Sequence, residues 1–235
     1  MEARLSETTA GQILLFLKYP SPGAVKSRLA RDIGNDAACA LYRAFVDDLL
    51  AMLDGVEQSS IICHYPADAG ELMRDWLGKR RYLPQQGRDL GERMENAVRE
   101  AFADGATKVV LIGSDIPALT ARHLSDAFTS LATHDAALGP AVDGGYYLLG
   151  LTRSGFTPAL FHDIAWSTPT VLTTTMARLA ADGRSVAMLD ELRDIDTFRD
   201  LAELAGDIRS GRVAAPATAA RLADFATALC LPSPL

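Results

Sequence analysis

Leu-Ile-Gly-Ser-Asp-Ile-Pro, at residues 111–117, is the segment from which the architecture of this chain can be inferred. The apolar run that leads into it, from Val109 to Ile112, predicts a short buried strand. Pro117 ends that strand because proline has no N–H to donate to a sheet. Asp115 therefore lies at or just beyond the carboxyl end of a strand, the edge that faces the ligand crevice of an open α/β sheet. A carboxylate there can bind a divalent cation that holds a diphosphate, or it can cap the next helix.

Strand-like and helix-like segments alternate along the rest of the chain. We expect strands near residues 13–17, 59–64, 81–86, 108–113, 136–141, 146–151 and 185–189, and helices near 35–53, 69–77, 90–103, 120–132, 169–181 and 197–204. This alternation predicts a three-layer α/β/α fold around a mainly parallel mixed sheet. We expect a single domain over residues 1–235, with its core at about 12–205. A helical extension follows at about 206–235, in which residues 216–229 form a packing helix.

Composition and charge exclude several classes of protein. The 235 residues are 49% hydrophobic, enough for a sizeable core, and carry a net charge of −7. This acidic balance argues against a nucleic-acid partner or an anionic membrane surface. Three widely separated cysteines indicate reduced thiols in a cytoplasmic protein, and the histidines show no zinc-ligand spacing. No apolar run is long enough to span a membrane. The oligomeric state is unknown at this stage.

A basic, glycine-containing segment follows the first predicted strand. It reads Lys-x-Pro-x-Pro-Gly-x-Val-Lys-Ser-Arg-Leu at residues 18–29. A flexible glycine, a helix start and clustered cations together suit a phosphate group. The alternative is a proline-rich turn followed by a solvated helix start, which the unfavourable placement of cations at a helix N-terminus disfavours. The candidate phosphate-binding residues are Lys18, Pro22, Gly23, Lys26 and Arg28.

Four other segments combine loop residues with groups that can contact a ligand. Residues 85–94 can read a base or a sugar, or Asp89 can cap the following helix with Glu92 as its partner. The Asp-Gly-Gly turn at 143–145 allows close backbone approach, or it is an ordinary hairpin turn. Asp-Ile-Asp at 194–196 presents two carboxylates on one side of an extended chain, or it caps a helix. Trp166 can wall a pocket or anchor the core.

Taken in order, the motifs at 18–29, 89–94, 113–117, 143–147 and 194–197 resemble those of the GT-A, nucleotide-diphospho-sugar transferase superfamily. More narrowly, the chain resembles the radical-SAM/selenodomain-associated transferase 1 family, some of whose members are named arsenosugar-biosynthesis glycosyltransferases. The resemblance covers about residues 13–204. Three departures matter. The first loop lacks the glycine-rich run of sugar-phosphate nucleotidyltransferases, and the metal motif has one aspartate before proline rather than Asp-x-Asp. Thr197 is followed by Phe198, where proline is frequent in related motifs.

The resemblance implies a GT-A-like fold and a metal-dependent transferase that uses a nucleotide-sugar donor and a small-molecule acceptor. It implies that Asp115 and Asp196 bind Mg²⁺ or Mn²⁺, with Asp194 as the alternative second ligand. The candidate catalytic residues are Asp115, Lys26 and, as general base, Asp143. The further candidate residues for substrate and nucleotide are Gln85, Asp89, Gly91, Ser114, Gly144, Gly145, Tyr146 and Trp166.

Two other functions are compatible with these motifs. In a nucleotidyltransferase, an acceptor phosphate would attack the α-phosphate of a nucleoside triphosphate, and pyrophosphate would leave. In a non-catalytic nucleotide-binding module, the fold would persist without turnover. The pairing of Asp115 with Asp196 argues against such a module. Two carboxylates placed to share one metal repel each other when no metal is bound, and a binding module has no need for that unfavourable arrangement.

Overall fold

The computed structural model describes residues 11–229, which form a mixed sheet covered by helices on both faces. The strands are β1 (Gly11–Lys18), β2 (Ser59–Tyr65), β3 (Tyr82–Pro84), β4 (Lys108–Gly113), β5 (Ala136–Pro140), β6 (Tyr146–Thr152) and β7 (Val186–Met188). The helices are α1 (Ser27–Ile33), α2 (Asn35–Leu53), α3 (Gly70–Leu77), α4 (Leu90–Ala103), α5 (Ala121–Ser130), α6 (Val171–Ala181), α7 (Phe198–Arg209) and α8 (Pro216–Leu229), with a 3₁₀ turn at Pro158–Leu160.

The sheet has the strand order β3-β2-β1-β4-β6-β5-β7. β6 runs antiparallel to both of its neighbours, and the remaining pairs are parallel. The predicted mainly parallel mixed sheet is therefore confirmed. Since β1, β2, β3, β4, β5 and β7 point the same way, their carboxyl ends share one edge, and β6 begins there. All five sequence motifs lie at that edge, on the loops there and on the helix or strand starts that follow them.

The core is split between the two faces of the sheet. Along β1, Ile13, Leu15 and Leu17 face the layer that contains α2, α3 and α5, whereas Leu14 and Phe16 face the layer of α4 and α6. Burial on both faces explains why β1 is a continuous apolar run rather than an alternating one. The predicted three-layer architecture is thus confirmed.

The C-terminal helix α8 is fixed to α2 by a buried carboxylate. Asp48 accepts hydrogen bonds from the backbone N–H groups of Ala217 (2.8 Å) and Thr218 (2.9 Å), and from the Thr218 hydroxyl (2.6 Å). It therefore satisfies N–H groups that the first turn of α8 cannot pair internally. The predicted packing helix at 216–229 is confirmed, although residue 206, the predicted start of the extension, lies inside α7.

Element boundaries depart from the expectations at two places near the site. α6 begins at Val171, after the N-cap Thr170, so Pro169 precedes the helix rather than starting it. The basic segment ends in a separate seven-residue helix, α1, which Gly34 (φ 85°) separates from α2. Thr120 caps α5 as predicted, through a reciprocal pairing with His123. Among residues 11–229, we find no helix that combines the length and apolar character needed to cross a membrane.

Candidate active site

A cavity of about 640 Å³ opens at the carboxyl edge of the sheet, within the size range of sites for small molecules. Gln85 and Arg93 line it on the side of β3 and β2. Its centre lies at the ends of β1 and β4, and its far side is formed by the β5–β6 turn and the loop around Trp166. The cavity thus crosses several strand ends, and each sequence motif contributes to one part of its wall.

Lys26 lies at the centre of the cavity, between the two predicted metal ligands. Its Nζ atom is 2.9 Å from Oδ1 of Asp115 and 3.2 Å from Oδ1 of Asp196. Its side chain is only 2% exposed, whereas that of Asp115 is 44% exposed. Arg28 pairs with the other carboxylate oxygen of Asp196, and its side chain is 59% exposed. The structure therefore brings Asp115 and Asp196 together, but around an ammonium group.

The backbone at Lys26 directs its side chain inward. Lys26 adopts left-handed angles (φ 51°, ψ 43°) at the N-cap of α1, a conformation that few residues other than glycine adopt. Val25 before it and Leu29 after it are buried. These two anchors fix the turn, so that the lysine points into the cavity rather than toward solvent.

The segment after β7 completes the acidic part of the site. Ile195 is buried and donates its N–H to the backbone oxygen of Asp115 (3.0 Å), and the flanking Asp194 and Asp196 both line the cavity. Burial, followed by the charges of Asp143 and Asp196, raises the pKa of Asp194 to about 7. Burial also acts to raise the pKa of Asp196, but Lys26 and Arg28 outweigh it and hold that pKa below its ordinary value.

The residues present fit a divalent cation that is shared with a ligand. Oδ1 of Asp115 is buried and meets the Lys26 ammonium at 2.9 Å, with no further partner among the described residues. Oδ1 of Asp196 converges on the same positive charge. Within the described part of the chain, no group of three or more His, Cys, Asp or Glu side chains could hold a metal. Two carboxylates, supplemented by water and phosphate oxygens, are the arrangement that Mg²⁺ usually takes.

Ser114 is held by a tyrosine that sequence reasoning missed. Tyr42, on α2, is buried; its hydroxyl lies 2.9 Å from Oγ of Ser114 and accepts the backbone N–H of Lys18 (3.0 Å). Burial, then the charge of Asp115, raises the pKa of Tyr42, so that its hydroxyl stays neutral and can donate. Tyr42 thereby joins the ends of β1 and β4. In the sequence it looks like any other aromatic residue on the buried face of a helix.

Gln85 lines the cavity on its β2–β3 side, but its amide N–H groups are already used. They donate to the backbone oxygens of Cys63 (2.7 Å) and Leu17 (3.3 Å). Only Oε1 of Gln85 is thus free to contact a ligand. Arg93, which sequence reasoning also missed, lines the same end of the cavity and stacks over the ring of Tyr65 at 4.2 Å. Its place in the 89–94 motif was the signal that could have identified it.

Asp89 and Gly91 have structural roles rather than a place in the cavity wall. Asp89 is the N-cap of α4 and accepts the N–H of Glu92 (2.9 Å), as the capping alternative predicts. A Cβ atom on Gly91 would lie 2.0 Å from the backbone oxygen of Phe161 and 2.8 Å from Nε1 of Trp166. Gly91 therefore lets the Trp166 loop pack closely against α4.

Of the remaining glycine and proline candidates, one lines the cavity and the others lie in the turns beside it. Pro22 and Gly23 form an exposed turn beside the cavity and do not line it. Gly144 has a φ of 88°, and a Cβ atom there would lie 2.4 Å from the backbone oxygen of Pro169. Gly144 therefore permits close packing of the turn against the segment that precedes α6, and only Gly145 of this pair lines the cavity.

The β5–β6 turn and Trp166 form the far wall. Asp143 accepts the N–H of Gly145 (2.9 Å) and lines the cavity together with Tyr146 and Trp166. The turn connects two antiparallel strands, as the hairpin alternative predicts, and Asp143 and Gly145 also line the cavity. Contact between this turn and a ligand stays a prediction. An acidic group thus lies among aromatic side chains at this end.

The fold is that of nucleotide-diphospho-sugar transferases. A crystal structure from Desulfovibrio desulfuricans G20, provisionally described as such a transferase, superposes with a TM-score of 0.88 at 40% identity, over 94% of this chain and 97% of that one. Residues 49–168 match the family described as "uncharacterized protein conserved in bacteria" (DUF2064). The chain belongs to that family. No protein of curated function matches the sequence.

More distant structures share the fold alone. A CMP-2-keto-3-deoxy-manno-octonic acid synthetase in complex with CTP superposes with a TM-score of 0.54 at 10% identity, over 86% of this chain and 99% of that one. A 4-diphosphocytidyl-2C-methyl-D-erythritol synthase from Anaerococcus prevotii DSM 20548 gives 0.52 at 10% identity, over 83% and 95%. The narrower resemblance to the radical-SAM/selenodomain-associated family stays a prediction.

Proposed function

We propose that this protein is a transferase that cleaves a nucleotide-sugar donor and passes the sugar to a small-molecule acceptor. The observation that carries this proposal is the division of the cavity along its length. Cations lie toward the centre and the β3 side, where Asp115 and Asp196 pair with two of them. On the far side, Asp143 and Asp194 lie near each other beside Tyr146, without a cation of the described residues between them. A nucleotide sugar has the same division, with a diphosphate in the middle and an uncharged, hydroxyl-rich group at one end.

The charges on the wall favour a diphosphate ester over a triphosphate. The cations are Lys18, Lys26, Arg28 and Arg93, and the carboxylates are Asp115, Asp143, Asp194 and Asp196. Four positive groups therefore face four acidic ones. A nucleoside triphosphate carries more negative charge than a nucleotide sugar of the same base, and it would gain less from a wall so balanced.

The far side of the cavity suits a sugar. Asp143 and Asp194 can accept hydrogen bonds from sugar hydroxyls, and carboxylates are effective acceptors for them. Tyr146 and Trp166 supply the apolar faces against which a sugar ring packs. A second or third phosphate placed here would instead meet like charge.

The proposed reaction breaks the bond between the anomeric carbon and the diphosphate oxygen and forms one to an acceptor oxygen. Lys26 and Arg28 would neutralise the departing diphosphate. Asp115 and Asp196 would hold Mg²⁺ or Mn²⁺, which supplies further positive charge for that leaving group. Asp143, fixed by the N–H of Gly145, would take the proton from the acceptor hydroxyl. Electrostatic stabilisation of the leaving group supplies most of the rate enhancement in this scheme.

A ligand panel with two product assays tests the proposal. Nucleotide sugars and nucleoside triphosphates of each base, with and without Mn²⁺, are compared by thermal shift, since a ligand of the native state raises the melting temperature by mass action. We expect one nucleotide sugar to stabilise the protein more than the triphosphate of the same base. We also expect slow release of nucleoside diphosphate as the sugar is transferred to water. Release of pyrophosphate from a triphosphate, with no nucleotide sugar hydrolysed, would support the nucleotidyltransferase alternative instead.

A matched pair of variants ties that activity to the cavity. Asp115→Asn keeps the shape of the side chain but removes its charge, and we expect nucleoside diphosphate release to fall about a hundredfold or more. Asp126→Asn makes the same change on α5, where Asp126 pairs with Arg122 on the surface. It should leave the rate unchanged. Equal rates in Asp115→Asn and wild type would refute the proposed role of Asp115.

A further inference from the structure

Lys26 breaks three local rules of protein structure at once. It is a non-glycine residue in the left-handed region, a conformation that is strained for residues other than glycine. It occupies an N-cap, where Ser, Thr, Asp and Asn are preferred, and it makes no capping hydrogen bond there. Its positive charge lies beside the positive end of a helix. Three unfavourable features at one residue, in backbone conformation, capping and charge, are typical of a functional position.

The conformation of Lys26 places one cation between two carboxylates. With a side chain only 2% exposed, Lys26 contacts Oδ1 of Asp115 and Oδ1 of Asp196 at 2.9 and 3.2 Å. Without a cation there, the two carboxylates would repel each other at close range. A buried ammonium is itself poorly solvated, and its burial is compensated only while both partners remain.

We propose that Lys26 is a displaceable counter-ion, which occupies the position of the divalent cation in the ligand-free protein and leaves it when that cation binds. The freed ammonium then turns to the ligand's phosphates. This inference rests on the proposed function for the identity of the ligand. One side chain would thus link two binding events: occupation of the carboxylate pair releases Lys26, and phosphate stabilises the released form.

The proposal makes metal binding without ligand weak in the wild type. Any divalent cation must first break two ion pairs of Lys26, so the energy of those pairs is subtracted from the affinity. Arg28 cannot play the same part, because its side chain is 59% exposed and contacts Asp196 alone. Removal of Lys26 should therefore tighten metal binding, although it removes a residue from the site.

The first measurement is the affinity for Mn²⁺ alone, by electron paramagnetic resonance of the free ion. Lys26→Met keeps the length of the apolar stem and removes the charge. We expect it to bind Mn²⁺ at least about tenfold more tightly than wild type, within the usual range of coupling between sites. Lys79→Met removes the same charge from an exposed position outside the cavity. It should change the affinity by about twofold or less. Weaker or equal binding by folded Lys26→Met would overturn the proposal.

The second measurement needs no variant and is independent of whether Lys26→Met folds. Lysine acetylation of the wild-type protein is followed residue by residue by mass spectrometry, with and without saturating Mn²⁺. Buried Lys26 should resist acetylation in the metal-free protein and react several-fold faster once Mn²⁺ displaces it. Lys18, which is exposed, should react at the same rate in both states. Unchanged protection of Lys26 in the Mn²⁺-saturated protein would refute displacement.

The failure of this inference can be told apart from failure of the proposed function. A wild-type protein that binds and hydrolyses a nucleotide sugar without binding Mn²⁺ would overturn the counter-ion proposal and leave the transferase proposal intact. Exposure of Lys26 by Mn²⁺ in a protein that binds no nucleotide of the panel would support the counter-ion and overturn the transferase.

Discussion

The substitution Gly91→Ala tests whether the 89–94 motif supports the cavity or contacts the ligand. In the structure, a Cβ atom at residue 91 would lie 2.0 Å from the backbone oxygen of Phe161 and 2.8 Å from Nε1 of Trp166. The first contact is with backbone, so it cannot be relieved by turning a side chain. The loop that carries Trp166 would have to move away from α4.

Two opposing effects set the size of the change. Alanine stabilises a helix by about 0.5–1 kcal/mol relative to glycine. Overpacking of a well-packed site costs about 1–3 kcal/mol, and a 2.0 Å approach to backbone lies at the upper end of that range. We therefore expect a net loss of about 2 kcal/mol. For a protein of this length, that loss corresponds to a fall of roughly 4–8 °C in melting temperature.

Urea denaturation and thermal melting of Gly91→Ala measure this loss, and Gly206→Ala is the matched control. Gly206 also lies in a helix, α7, but a Cβ atom there would meet Arg209 Nη2 at 3.8 Å, an ordinary contact. Gly206→Ala should thus be stabilised by about 0.5–1 kcal/mol. A Gly91→Ala variant as stable as this control would refute the close packing of the Trp166 loop on α4.

Two further predictions concern carboxylates. Asp48→Ala leaves the N–H groups of Ala217 and Thr218 without their acceptor. The free energy of unfolding, measured by urea denaturation, should therefore fall by about 2–4 kcal/mol. A loss below about 0.5 kcal/mol would contradict the role of Asp48 as the cap of α8. The pKa of Asp194 is raised from 3.8 to about 7 on folding, so the folded protein favours the protonated carboxyl. The stability that this preference contributes is complete below pH 4 and is lost as the pH rises to 7. In metal-free buffer, Asp194→Asn should match wild type near pH 4 and exceed it by about 1–2 kcal/mol above pH 7; a gain independent of pH would show that Asp194 is not the titrating group.

Local sequence signals predicted most of the elements. The helix at 90–103, the strand at 108–113 and the helix at 35–53 have the predicted bounds. Each combines a clear apolar pattern with a definite boundary, such as the cap Asp89 at the start of α4 or the Gly-Ser-Asp at the end of β4. The alternation of these elements was enough to predict the layers and the mainly parallel sheet. From the direction of the strands it followed that the motifs would meet at one edge.

Contacts between distant segments could not be predicted in the same way. Lys26 and Asp196 lie 170 residues apart, and nothing near residue 26 indicates that its ammonium would lie between two aspartates rather than face a phosphate. Gly91 was a candidate for ligand contact because Phe161, whose backbone oxygen requires a glycine there, lies in a distant segment of the sequence. Tyr42 was hidden among the buried residues of α2. In each case, the function of the side chain depends on a partner that only the fold supplies.

The balance of charge in the cavity has a consequence that does not depend on any family resemblance. Lys26 and Arg28 are already paired with Asp115 and Asp196, so neither is a free cation for an incoming phosphate. A phosphate that enters alone must either break those pairs or add negative charge to a balanced cluster, and both are unfavourable in a partly buried site. A divalent cation removes this conflict, since it compensates the aspartates and leaves the ammonium to the phosphate. We therefore expect the affinity for any phosphate ligand to rise with the concentration of divalent cation, and to do so through Lys26.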